Sequence, residues 1–322
     1  MWADSIRSCC GVTAGRRTGR WWCAFLLSVA ALWAVVPTTV AGLDCEPLAE
    51  SDSSFDFGPI AHPRGLLWRV KSPAGSISYL LGTMHAGGPE TDAVERHGIA
   101  ALAEVDAFAM EVVMDAAAFS KLQSAMQLPA GEYLSSYVEP ALYERLLALT
   151  AGYGLPDSAV STMKLWAASL VLSQPPGLSG LPMDLMLMQH AQSAGKPIIG
   201  LESVEEQVGI FDQLSPFEQR ALLREAVCHY AQLQQELDEI VRLYGERDLA
   251  GLAALSTRHV DVTKQDFFDA LINQRNLRML SRLQPRLTEQ RLMVAVGALH
   301  LPGPQGLLSL LEKSGFSVEP IY

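Results

Sequence analysis

The stretch Gly82-Thr83-Met84-His85-Ala86-Gly87-Gly88-Pro89-Glu90 has a second copy near the other end of the chain, Gly297-Ala298-Leu299-His300-Leu301-Pro302-Gly303-Pro304-Gln305. Both copies read G-x-x-H-x-x-G-P-[E/Q], and each follows an apolar run, 77–81 before the first and 292–296 before the second. Glycine and proline are uncommon residues, so four identities in register are not expected by chance. An apolar run that ends in glycine is typical of a β-strand. The pattern therefore predicts a repeated strand–GxxH–helix unit with a histidine at each strand tip.

The Gly-Pro step that closes each copy is typical of a helix start. Pro89 and Pro304 are suited to the first helical position, where the missing N–H is not needed. The two motifs therefore predict that His85 and His300 lie between a strand and a helix, in matching positions.

Strand and helix patterns alternate along the rest of the chain. Two short strands around the turn Ser72-Pro73-Ala74-Gly75 form a predicted hairpin. The other predicted strands are 105–113, 198–201, 292–296 and 317–321. The predicted fold is α/β: a mixed central sheet flanked by helices, with two largely helical insertions at about 115–194 and 204–288.

The N-terminal residues have the layout of an export signal. Arginines precede an uncharged apolar run, 25–36, and Thr39-Val40-Ala41 is a small-residue cleavage signature. The predicted organisation is a signal peptide at 1–41, a linker at 42–65 and a hydrolase domain at 66–322. The alternative is an uncleaved N-terminal segment that anchors the protein to a membrane. The expected location is therefore periplasmic or secreted.

The charge of the chain limits its partners. The formal net charge is -11, and loss of residues 1–41 would make it -14, because four arginines and one aspartate would go. Such an acidic composition does not predict the basic surface that binds nucleic acid. The expected partner is a peptide or a small-molecule substrate. Cys45 and Cys228 would remain in the exported form and either pair or stay as thiols.

Four polar residues lie at or just past predicted strand ends: His85, Glu111, Glu202 and His300. If these strands are parallel neighbours, their side chains converge at the sheet edge where α/β folds bind ligands. Two imidazoles and a carboxylate suit a divalent first-row metal with an open position for water. The competing interpretation is a metal-free site in which a histidine acts as base and a glutamate orients it.

Ordinary explanations cover other residues of the helical regions. Asp184 in a first helical turn is explained by the helix dipole. Arg275 and Asn276 fit the solvated polar face of an amphipathic helix. Two capping boxes, beginning at Ser203 and Ser215, predict helix starts, and the second helix is expected to run to about Tyr244.

The motifs resemble those of the TraB/GumN proteins, relatives of the Tiki metalloproteases. The resemblance rests on Trp68-Arg69-Val70, the run 79–85, Gly195-Lys196-Pro197, Gly200-Leu201-Glu202 with Gln207 after it, Arg275-Asn276, and 296–303. It covers essentially the whole chain after about residue 66. Leu299 stands where GumN-like members usually have glycine.

This resemblance implies a metal-dependent hydrolase whose active centre is the paired histidines and a glutamate. Carried over, His85, His300 and Glu111 would hold a divalent ion (manganese, cobalt or zinc) or act as acid and base. Glu202 would support them, and Arg275 is a candidate to clamp a substrate carboxylate. The expected function is an exported, peptidase-like metallohydrolase. The alternatives are a metal-free, esterase-like His/Glu hydrolase and a non-catalytic module that binds a peptide or partner.

Overall fold

The computed structural model describes residues 43–45, 58–84, 89–177, 181–260 and 264–322. The predicted signal peptide, most of the predicted linker and the segment 85–88, with His85, lie outside the described residues. Within the described ranges, strands alternate with helices. No helix in these ranges combines the length and the apolar character that crossing a membrane requires.

A six-stranded mixed sheet forms the centre of the fold and confirms the predicted α/β class. In order across the sheet the strands are β4-β3-β5-β2-β1-β6. Neighbours among β4, β3, β5 and β2 are parallel, and β1 is antiparallel to β2 and β6. The bounds are β1 Leu67–Lys71, β2 Ile77–Thr83, β3 Ala107–Met110, β4 Ile198–Gly200, β5 Leu292–Gly297 and β6 Ser317–Pro320.

Helices cover the sheet and fill the connections between its strands. From β3 to β4 the chain is largely helical, as it is from β4 to β5. The bounds are α1 Pro89–Ala103, α2 Ala116–Ala125, α3 Pro140–Thr150, α4 Asp157–Val160, α5 Leu165–Leu172, α6 Met183–Ser193, α7 Val204–Asp212, α8 Pro216–Cys228, α9 Tyr230–Gly245, α10 Leu249–Thr257, α11 Gln265–Leu271, α12 Asn273–Glu289 and α13 Leu307–Lys313.

The local turn and cap signals account for several element ends. The predicted hairpin joins β1 to β2, and Gly75 supplies the positive φ that its turn needs. Both capping boxes form: Ser203 and Glu206 begin α7, and Ser215 and Glu218 begin α8. Pro89 is the first residue of α1, as the first motif predicts.

Two predicted helix boundaries differ in the structure. The second motif does not open a helix at Pro304, because Gly303 adopts φ 86° and the chain makes one more turn before α13 begins at Leu307. The helix predicted from Ser215 to about Tyr244 is two helices, α8 and α9, which meet at His229 with φ -107° and ψ 24°.

β3 is shorter than the predicted strand 105–113 at both ends, and past its carboxyl end the chain passes from one hydrophobic core to another. Met110 belongs to the core around the sheet, whereas Val112 packs in a second core formed by helices. The same change occurs between Leu201 and Val204. Glu111 therefore lies at the junction of the two cores.

A disulfide joins Cys45 to the last residue of α8, Cys228. Leu43 packs against the helical core, and Arg224 donates to the carbonyl oxygen of Asp44. The two cysteines that the predicted export step would retain are therefore paired. Their bond ties residues 43–45 to the helical part of the molecule.

Candidate functional site

The carboxyl ends of β2, β3, β4 and β5 meet at one edge of the sheet, because these four strands are parallel neighbours. Glu111 follows β3 directly, and Glu202 lies two residues past β4. His300 ends a short 3-10 turn, Ala298–His300, that follows β5. The last residue of β2 is Thr83, two positions before His85, which lies outside the described residues.

The two GxxH motifs lie against each other. A Cβ atom added to Gly82 would lie 2.8 Å from Leu301 Cδ1 and 3.0 Å from the Cα of Ala298, both in the second motif. Real Cβ atoms rarely approach other heavy atoms so closely, so a side chain at this position would have to displace Leu301 or the backbone of Ala298. The first glycine therefore allows the two strand tips to pack together.

Glu111 is held by groups from three other elements. Its Oε1 accepts a hydrogen bond of 2.7 Å from the backbone N–H of Gly297, the last residue of β5. Its Oε2 accepts from Arg275 of α12 and, at 3.1 Å, from Gln207 Nε2 of α7. The side chain is 17% exposed. The carboxylate is thus largely withdrawn from water and fixed in one orientation.

Arg275 and Gln207 connect this carboxylate to that of Glu202. Arg275 Nε and Nη2 donate to Glu202 Oε2 at 2.9 and 2.7 Å, and Gln207 Nε2 donates to the same oxygen at 3.2 Å. Burial alone would lower the pKa of the Arg275 guanidinium, but the charge of Glu111 and the hydrogen bond and charge of Glu202 raise it above its usual value. Arg275 is therefore a fixed cation between two carboxylates.

These contacts bear on the roles expected for Arg275 and Glu202. Arg275 also donates to the carbonyl oxygen of Leu271, so each of its guanidinium nitrogens donates to the protein itself. The remaining oxygen of Glu202, Oε1, accepts from Arg278 at 2.9 Å, and its side chain is 0% exposed. In the structure Arg275 holds Glu111 and Glu202, and a clamp for a substrate carboxylate stays a prediction. Glu202 in turn holds two arginines.

His300 is buried, with a side chain that is 4% exposed. Its Nδ1 lies 2.7 Å from Oδ1 of Asn276, which is 0% exposed. Its Nε2 lies 3.7 Å from Glu111 Oε1. The interpretation of Arg275 and Asn276 as a solvated helix face is therefore wrong, because this face of α12 packs onto the strand ends.

A second buried polar group lies beneath the end of β2. The Thr83 hydroxyl donates to Asp184 Oδ1 at 2.5 Å, and Tyr244 donates to the carbonyl oxygen of Gly82 at 2.8 Å. Burial, together with the charge of Asp184, raises the pKa of Tyr244 well above its usual value. Asp184 does lie in the first turn of α6, but it also holds the strand that leads to the first motif.

At the strand ends, Glu111 Oε1 and His300 Nε2 lie 3.7 Å apart, and both atoms have the chemistry to bind a divalent ion. A carboxylate oxygen and an imidazole nitrogen are ordinary ligands for zinc and neighbouring first-row metals. Within the described ranges, no cluster of three or more His, Cys, Asp or Glu side chains could hold a metal. The described residues thus fit two of the three protein ligands that a catalytic zinc site usually has.

Sequence reasoning gave no role in the site to four residues that shape it: Asn276, Gln207, Arg278 and Asp184. A polar residue on a helix carries no local signal of which strand its side chain meets. Burial periodicity could have indicated Asn276, because it lies three residues before the buried Met279 of α12.

The fold and these contacts define a class of protein: an α/β protein with a histidine, two carboxylates and an arginine gathered at the carboxyl edge of parallel strands. More particularly, the chain belongs to the TraB/PrgY/gumN family, whose sequence profile matches residues 66–320. The resemblance drawn from the motifs is confirmed.

Individual relatives are similar to the chain at low identity. The uncharacterized protein YbaP of Shigella flexneri and that of Escherichia coli (strain K12) are each 27% identical to it over 253 residues, which is 76% of this chain and 90% of YbaP. The metalloprotease TIKI1 of Danio rerio is 25% identical over 319 residues. That alignment covers 81% of this chain and 64% of TIKI1.

Proposed function

We propose that the protein is an exported, metal-dependent hydrolase of peptidase-like type, with Glu111, His300 and His85 as the ligands of a divalent ion. The family and the similarity to the metalloprotease TIKI1 hint at a hydrolase- or peptidase-like function. The observation that carries the proposal is the 3.7 Å approach of Glu111 Oε1 and His300 Nε2 at the edge where β2 also ends. His85 follows β2 by two positions in the sequence and would complete the set.

The protein's own residues support these two ligands. The backbone N–H of Gly297 and the guanidinium of Arg275 orient the carboxyl group of Glu111. Asn276 orients the ring of His300. A bound manganese, cobalt or zinc ion would lower the pKa of a water molecule and polarise a substrate carbonyl. A peptide or small-molecule substrate suits this site.

Export is supported by two independent features. The sequence of residues 1–41 has the layout of a signal peptide. The disulfide Cys45–Cys228 belongs to the kind of bond that persists in oxidising compartments. We propose a periplasmic or secreted location, with an uncleaved N-terminal anchor as the alternative form.

A metal-free hydrolase is the second candidate, and the same contacts favour it. An imidazole whose Nδ1 side is fixed by Asn276 and whose Nε2 side lies near a carboxylate has the arrangement of an oriented general base. Both candidates need His300 and Glu111. They differ in whether a chelator abolishes turnover.

The deciding experiment is metal analysis of the purified exported form, residues 42–322, followed by hydrolysis of a peptide library with and without chelator. We expect near-stoichiometric manganese, cobalt or zinc in the wild type, and loss of both metal and turnover in His85→Ala/His300→Ala. Glu111→Gln should also lose the metal while keeping the shape of the side chain. The matched control is His259→Ala. This histidine is partly buried, and its Nε2 lies 2.8 Å from Oε1 of Glu236, which belongs to α9 and not to the strand ends.

No metal in the wild type, even after incubation with excess ions, would overturn the metallohydrolase proposal. Turnover that survives the chelator and needs His300 would then establish the metal-free hydrolase. Absence of turnover together with retained peptide binding would leave the non-catalytic binding module.

A further inference from the structure

Asn276 is a fully buried amide between the two halves of the second motif. It lies in the first turn of α12 and is 0% exposed. Its Nδ2 donates to the backbone carbonyl of Gln305 at 2.8 Å, and its Oδ1 lies 2.7 Å from His300 Nδ1. His300 and Gln305 both belong to the second GxxH motif. One side chain of α12 therefore binds the motif at its histidine and at its end.

The carbonyl of Gln305 determines which way the amide faces. A backbone carbonyl oxygen only accepts hydrogen bonds, so the atom that faces it is the Asn276 NH2 group. The amide oxygen therefore faces the His300 ring. Because an amide oxygen also only accepts, His300 Nδ1 must carry the hydrogen of the 2.7 Å contact.

This contact fixes the tautomer of the ring. A neutral imidazole with its hydrogen on Nδ1 has a lone pair on Nε2, and Nε2 is the atom that lies 3.7 Å from Glu111 Oε1. We propose that Asn276 is a positioning residue that holds neutral His300 in the Nδ1–H tautomer and directs the Nε2 lone pair toward Glu111. One consequence rests on the proposed function: Nε2 is the atom that binds the metal. Metal-binding histidines donate the N–H of their other ring nitrogen to an acceptor, and here that acceptor is Asn276.

A purely structural role for Asn276 makes a different prediction. Any buried amide must have its hydrogen bonds satisfied, and Asn273 on the same helix does so without touching a histidine: it is 6% exposed, and its Nδ2 donates to Asp269 Oδ1 at 2.8 Å. Loss of Asn273 should affect stability alone. Loss of Asn276 should change the protonated nitrogen of His300.

The experiment is NMR of the protein with ¹⁵N-labelled histidine, at a pH at which the ring is neutral and without added metal. The His300 signals are identified by comparison with His300→Gln. In the wild type we expect the hydrogen on Nδ1. Asn276→Asp, which keeps an acceptor toward the ring, should retain that tautomer, and Asn276→Leu should shift the population toward Nε2–H. The control Asn273→Leu should leave it unchanged.

Ion binding gives a second measurement, by calorimetric titration with Mn²⁺. We expect Asn276→Leu to weaken binding by about 10- to 100-fold, and Asn273→Leu to leave it near the wild-type value. A wild-type His300 with its hydrogen on Nε2, or an unchanged tautomer in Asn276→Leu, would overturn the inference. If Asn276→Leu does not fold, the wild type still tests the inference, because a hydrogen on Nε2 of its His300 would overturn it. If the wild type binds no ion, the proposed function fails, whereas the tautomer result stands independently.

Discussion

The glycines that open the two GxxH motifs occupy equivalent places in the sequence and have different physical reasons to be glycine. At Gly82 a Cβ atom would press on Leu301 Cδ1 at 2.8 Å and on the backbone of Ala298 at 3.0 Å. At Gly297, with φ -52°, a Cβ atom would lie 3.4 Å from Glu111 Oε1 and make an ordinary contact. At the scale of single residues, a side chain at Gly82 would thus crowd its neighbours, whereas one at Gly297 would make ordinary contacts.

Gly82→Ala should therefore destabilise the protein by about 1–3 kcal/mol, the usual range for overpacking a tight core. The neighbouring backbone of Ala298 cannot move aside as a flexible side chain could. Gly297→Ala is the matched control and should change the free energy of unfolding much less. Chemical denaturation of the wild type and both variants measures the difference. Equal losses in the two variants would show that the contact between the motifs is not what requires Gly82.

At the scale of elements, the site depends on the packing of α12 against α7 and the strand ends. One face of α12 carries Arg275, Arg278 and Arg282, which pair with Glu111, Glu202 and Glu206. Arg282 donates to both oxygens of Glu206 at 2.8 and 2.7 Å. The pairs made by Arg275 and Arg278 hold the site. Glu206 and Arg282 lie nearer the surface, with side chains 30% and 41% exposed.

The outer pair makes stability depend on pH in a defined window. Hydrogen bonds from Arg282 and from the Ser203 backbone N–H, together with the positive charges of Arg282 and Arg278, lower the pKa of Glu206 from 4.5 to about 2. A carboxyl group whose pKa is lower in the folded than in the unfolded protein stabilises the fold above its unfolded pKa, and this contribution is lost as the pH falls through the folded pKa. Glu206→Gln should thus be less stable than the wild type at pH 7, and the difference should shrink as the pH falls from about 5 toward 2.

Unfolding free energies measured from pH 7 down to pH 3 test this prediction. Glutamine keeps the acceptor for the Ser203 backbone N–H, so the cap of α7 is retained. The control Glu218→Gln changes the equivalent residue of the second capping box, whose pKa is lowered by its contacts with Ser215. A stability difference for Glu206→Gln that stays constant with pH would contradict the role of the Arg282 pair.

At the scale of the whole molecule, two hydrophobic cores meet at the site. Glu111 follows the sheet core directly and precedes Val112 of the helical core, and Glu202 lies between Leu201 and Val204 in the same way. The disulfide Cys45–Cys228 fastens residues 43–45 onto the helical core, across 183 residues of sequence. A bond that closes so long a loop restricts the unfolded chain strongly.

Loss of this disulfide should lower the free energy of unfolding by about 2–4 kcal/mol. Denaturation of the exported form with and without a reductant gives the measurement. The control is Cys45→Ala/Cys228→Ala, whose stability should match that of the reduced wild type and should not respond to the reductant. A wild type whose denaturation midpoint is unchanged by reduction would show that residues 43–45 contribute little to the fold.

Predictions of strands and of the residues that follow them held because both depend on neighbouring residues. The apolar runs before Gly82 and Gly297 are strands, and Glu111 and Glu202 come at or just after strand ends. Helix starts at Ser203 and Ser215 followed from capping boxes four residues long. The helix break at His229 was missed, since neither Gly nor Pro marks it.

The contacts that shape the candidate site lie beyond any local pattern. Asn276 meets His300 across 24 residues, Gln207 meets Glu111 across 96, and Thr83 meets Asp184 across 101. Each depends on which face of a helix packs on the sheet, and helical periodicity identifies a face but not its partner.

Local chemistry therefore dictates that this chain forms an α/β fold with polar residues at its strand tips, because strand alternation, glycine turns and helix caps act within a few residues. The parallel order β4-β3-β5-β2 brings those tips to one edge. Only the packing of α12 and α7 onto that edge decides that Arg275 is paired within the protein, that Asn276 is buried, and that His300 faces Glu111. Burial determines these contacts, because polar groups that are removed from water need hydrogen-bond partners wherever the fold places them.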